Sequence, residues 1–81
     1  MKNLVEPTTK YNYRPAKKRL KLWLKERGMR LIEANEWAYW AFSNRPFYSV
    51  WALVSTKKRR MTWGLNIYDD GEILMISELE G

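Results

Sequence analysis

Apolar residues recur every three to four positions through "RPAKKRLKLWLKERG", and every second position after Pro46. The chain therefore changes from a helical to an extended period part-way along. In the first stretch Pro15 suits the opening turn of a helix, where its missing N–H costs nothing. Gly28 suits the left-handed stop beyond the last turn. Ala16, Leu20, Trp23, Leu24 and the stem of Arg27 share one face of this helix. Lys17, Lys21 and Lys25 form a column down one flank, with Lys18 beside them. Like charges at this spacing repel by roughly 0.2–0.5 kcal/mol per pair. Arg14, Lys17, Lys18 and Arg19 also crowd the positive end of the helix dipole, a penalty that an external anion would relieve.

The alternating segments are "FYSVWALVST", "MTWGLNIYD" and "EILMISEL". Asp70-Gly71 is a two-residue hairpin signal, which sets Ile67 opposite Leu74 and Leu65 opposite Ile76. If "KKRR" forms the preceding loop, Val54 faces Trp63, Ala52 faces Leu65 and Val50 faces Ile67. Both registers put Val50, Ala52, Val54, Trp63, Leu65, Ile67, Leu74 and Ile76 on one face, the signature of an antiparallel meander. The other face carries Phe47, Trp51, Leu53, Gly64, Asn66, Tyr68 and Met75 with Ser49, Ser55 and Ser77. It is either a second buried layer or a binding surface.

The middle, "MRLIEANEWAYWAFSNRP", has two readings. Asn35 would cap a short helix ended by Pro46, or "MRLIEA" and "WAYWAFS" are strands followed by a turn at 43–46. Aromatic density favours the strands. Residues 1–13 lack apolar periodicity and read as a flexible basic arm. The expected fold is one α+β domain over 14–81, with the amphipathic helix packed on an antiparallel β-meander of three to five strands.

A chain of 81 residues buries a modest fraction of its surface, and the five Trp, five Tyr and two Phe compensate with large rings. With no cysteine and no histidine, thiolate or imidazole metal sites and disulfides are ruled out. No run approaches the ~20 apolar residues of a membrane span, and the N-terminus has no signal-peptide core, so a cytoplasmic location is expected. Charge is segregated. Residues 1–30 carry ten basic and two acidic side chains, whereas residues 61–81 carry five acids and no base. Segregated positive charge is the footprint of a polyanion binder.

The first candidate site is the basic set: Arg14, Lys17, Lys18, Lys21 and Lys25 on the helix, with Lys57, Lys58, Arg59 and Arg60 at the bend. Arginine forks grip phosphate through two bonds, while lysines act as mobile point charges. A solvated face and an edge-protecting loop explain a few such residues, but four cations in a row exceed that need. The second candidate is aromatic: Trp51 and Tyr68, among the small residues Ser49, Gly64 and Asn66, form a platform for stacking bases. The tail tyrosines Tyr11 and Tyr13 join them. Burial in the core is the competing explanation for any one ring. The third, Asp69, Asp70 and Glu72, is better explained by the hairpin turn than by a metal ion.

No Gly-rich phosphate loop, metal-ligand spacing or serine–histidine pair is present, so neither catalysis nor a cofactor is expected. The expected partner is nucleic acid, RNA or single-stranded DNA, bound through cationic phosphate contacts and stacking. The alternative is a protein-interaction module, such as a phage or mobile-element inhibitor of a nucleic-acid enzyme. Pairing of the acidic end with another copy's basic end would give a homodimer.

Overall fold

The computed structural model describes residues 7–8 and 12–80. Its helix, α1, spans Arg14–Lys25 and buries Ala16, Leu20 and Leu24, the three positions at four-residue spacing on the apolar face. Asn12 Oδ1 accepts the first helical N–H, that of Arg14, at 3.1 Å. At the other end Gly28 N–H bonds Lys25 C=O at 3.0 Å and Met29 N–H bonds Leu24 C=O at 2.9 Å. With Gly28 at φ 72°, this is the paired-bond stop that the glycine promised.

The rest is an antiparallel sheet in sequential order. β1 (Pro7–Thr8), β2 (Arg30–Trp40), β3 (Phe47–Ser55), β4 (Arg60–Tyr68) and β5 (Ile73–Glu80) pair as a meander. The middle of the chain is thus strand, as its aromatic density suggested. It is one strand rather than two, with register irregularities at Leu31/Glu33 and Asn35/Ala38. The β1 dipeptide, part of the expected arm, pairs with Trp40 and Tyr39. Asn12 and Tyr13 of the arm are described as well, whereas its other residues, Tyr11 included, lie outside the described residues.

One face of the sheet packs on α1. Leu20 and Leu24 meet Val50, Ala52, Val54, Met61, Leu65, Ile67 and Ile73 in a single core, closed at one end by Trp37. The opposite face has no covering element among the described residues. Among the described residues it is therefore not a second buried layer.

Both hairpin registers differ from expectation, with different consequences. In the first, Val54 faces Met61, Ala52 faces Trp63 and Val50 faces Leu65. The loop is Thr56–Arg59, and Arg60 belongs to the strand. This slip is even, so every side chain keeps its face. In the second, the loop has three residues. Tyr68 N–H bonds Glu72 C=O at 2.8 Å and Gly71 N–H bonds Tyr68 C=O at 2.9 Å, with Gly71 at φ 103°. Asp70 Oδ1 accepts the Glu72 N–H at 3.0 Å and fixes the turn. The one-residue slip buries Ile73 and turns Leu74 (39% exposed) and Ile76 (61%) away from the core. Met75 pairs with Leu65, so it does not share the face of Trp51. A register shift between Gly64 and Leu65, which leaves Ile76 between two paired positions, restores the expected pairing beyond it.

Candidate nucleic-acid interface

The basic bend is built by Thr56. Its hydroxyl accepts the N–H groups of Lys58 (3.1 Å) and Arg59 (3.2 Å), and its own N–H bonds Arg59 C=O at 2.9 Å. This side-chain turn holds Lys57 and Lys58 out in solvent. Arg59 turns back toward Glu78 on β5 at 3.9 Å. Arg60 and Arg30 both pair through Ser55, which alternation places on the uncovered face with Leu53 and Trp51.

Of the predicted basic set, Lys57 shares a cleft with Arg30, a cation outside that set. The bend meets the chain leaving α1 in a cleft of about 330 Å³ lined by Gly28, Met29, Arg30, Ser55, Thr56 and Lys57. Lys25, at the end of the helix, belongs to this end of the molecule. So does Arg27, whose guanidinium lies 4.0 Å from the centre of the Trp23 ring. Trp23 in turn meets Trp63 edge-on at 6.3 Å. Arg14, Lys17 and Lys18 lie at the far end of a helix about 17 Å long, and exposed Lys21 lies between. Near that far end Arg19 reaches the Tyr68 carbonyl at 3.4 Å, beside the acidic turn.

The uncovered face carries the aromatic set. Trp51 pairs directly with Gly64, and a Cβ there would lie 3.3 Å from the Trp51 ring and from Ser77. Glycine is what lets the indole settle on the sheet, and the ring in turn shelters the bare backbone. Ser49 and Asn66 continue the face, with Trp40 Nε1–H donating to Ser49 Oγ at 3.1 Å. Tyr68 accepts a bond from Asn66 at 3.3 Å and packs against Phe47 at 5.1 Å. Phe47 stacks on Trp40 at 6.1 Å. Tyr13 is placed elsewhere, stacked on Trp37 at 4.7 Å over the end of the core.

Arg45 escaped the sequence reading. It comes from the loop before β3, lies 4.0 Å from the centre of the Tyr68 ring, and bonds Asp70 at 2.9 Å and Glu72 at 2.6 Å. Hydrogen bonds that it donates to Glu72 and then to Asp70 hold its pKa above the usual arginine value. Asp69 accepts a hydrogen bond from the Tyr39 hydroxyl. Asp70 and Glu72 therefore already hold a cation, a guanidinium. No group of three potential metal-ligating side chains occurs among the described residues. No helix among them is long and apolar enough to cross a membrane. No family model, curated protein or solved structure matches the chain.

Proposed function

We propose that the protein is a non-catalytic, cytoplasmic binder of single-stranded nucleic acid, RNA or DNA, that uses the uncovered face of its sheet. One observation carries this reading: Trp51, seated on Gly64, lies on the same open face as Arg30 and Arg60, which both pair with Ser55 beside the Lys57–Lys58 bend. Stacking supplies ~1–3 kcal/mol per base without demanding a sequence, and the cations hold the backbone. A duplex hides the flat faces of its bases, so an open aromatic surface favours single strands.

The test is a salt series with single-stranded and duplex oligonucleotides. Each phosphate neutralised on a single strand contributes about −0.7 to the log–log slope, so a slope near −3 is expected if the bend cations all engage. Reversal of Lys57, Lys58, Arg59 and Arg60 to Glu should abolish binding. A flat slope, or affinity that survives the reversal, overturns the proposal.

A second reading rests on Leu74, Ile76 and Leu79, which are 39%, 61% and 54% exposed. They extend the open face with more aliphatic surface than base stacking uses, as docking to a protein such as a nucleic-acid enzyme would require. That reading expects a lysate partner whose capture survives nuclease treatment.

A further inference from the structure

Beside Trp51 the open face sinks into a cleft of about 220 Å³, whose walls include Glu36, Ser49, Trp51, Gly64, Ile76 and Ser77. That is room for one flat ring system, well below the size of a drug-like pocket. Trp51 gives a stacking wall and Ile76 an aliphatic one. Glu36 is the one charged residue lining the cleft.

Glu36 is also the one non-glycine residue with positive φ among those described, at 61°. It sits where β2 has an extra residue between Asn35, opposite Trp51, and Ala38, opposite Ser49. Glycine is the usual occupant of a left-handed bulge position, since a side chain there is sterically opposed. Glu36 is exposed and contributes nothing to the core, so packing does not account for it. Its neighbour Glu33 already accepts a bond from Asn35 at 2.9 Å. A strained backbone that places a carboxylate at the mouth of an aromatic cleft points to a ligand.

A carboxylate is an acceptor with two oxygens, so the ligand must donate. Guanine offers two adjacent donors, N1–H and the 2-amino group, which match the two oxygens. Adenine and cytosine place an acceptor nitrogen next to their amino group, and uracil and thymine flank one N–H with two carbonyls. These meet the carboxylate with repulsion. We infer that this cleft is a guanine-reading pocket, with the base stacked on Trp51 and its Watson–Crick edge held by Glu36. This rests on the single-strand reading above.

The test uses labelled thymidine tracts carrying one central guanine, inosine, adenine or cytosine. The guanine tract should bind about tenfold tighter than the adenine or cytosine tracts. Inosine, which lacks the 2-amino group, should fall between. Glu36→Gly, which suits the left-handed backbone, should keep or raise the melting temperature while erasing the preference. Glu36→Gln should shrink it. Equal binding of all tracts, or a preference that survives in Glu36→Gly, overturns the guanine pocket and leaves the single-strand reading standing. Failure of every tract to bind at low salt overturns both.

Discussion

Arg45 shows how much one side chain organises at the acidic end. Its guanidinium joins the 43–46 loop to the second hairpin through Asp70 and Glu72 while covering Tyr68. The Asp70 carboxyl is held below the usual aspartate value, first by the Glu72 N–H and then by Arg45. A folded-state pKa below the unfolded value of ~3.9 stabilises the fold fully above that range, and the gain is lost as pH falls through the folded value. Arg45→Met should therefore raise the Asp70 pKa toward the usual range, read by NMR titration, and soften the loss of stability on acidification. The rise should be partial because the Glu72 N–H remains. An unchanged titration would show that Arg45 contributes nothing there. Nothing in the sequence marks Arg45, since its partners lie 25 and 27 positions away. The left-handed backbone of Glu36 was equally invisible, because glutamate has no special tendency toward it.

At the scale of elements, sequence was most informative where the period was long and the ends were marked. The helix runs from Arg14 to Lys25, and its glycine stop adopts the left-handed conformation that the motif requires. Gly28→Ala should destabilise the protein by about 1–2 kcal/mol in denaturant melts, because the new Cβ meets no neighbour within 4 Å and the cost is purely conformational. A neutral result would mean that the turn relaxes. The hairpins divide differently. A four-residue loop around Thr56 and the expected "KKRR" loop differ by an even slip, so the faces of β3 and β4 were legible despite the wrong pairs. Asp70-Gly71 suggested a two-residue turn, but the same dipeptide also closes a three-residue loop with glycine last. That odd slip exchanged Ile73 for Leu74 in the core.

Over the whole molecule the decisive fact is which charges share an end and a face. The protein measures 47 × 22 × 19 Å, and its 13.0 Å radius of gyration exceeds the roughly 12 Å expected of a compact chain this long. The helix lies on the face opposite Trp51, so Lys17 and Lys18 cannot join a strand laid across the aromatic face. Lys17→Glu with Lys18→Glu should change oligonucleotide affinity less than threefold at physiological salt, where the Debye length is about 8 Å. Lys57→Glu with Lys58→Glu should lower it more than tenfold. Comparable losses from the two pairs would place the nucleic acid across the helix instead.

The sequence by itself determined what periodicity and punctuation encode: one helix with its apolar face, a run of strands with alternating faces, a concentrated positive bend and the lack of catalytic motifs. These follow from local geometry, because a side chain's direction repeats with the backbone's own period. Tertiary structure alone decided that the helix covers one face and leaves Trp51 on the other. It also decided that the chain leaving the helix, at Gly28, Met29 and Arg30, meets the bend, and that Arg45 occupies the acidic turn. Those outcomes depend on contacts between residues far apart in the chain, where turn length and crossing direction set the partner and local pattern carries no record of it.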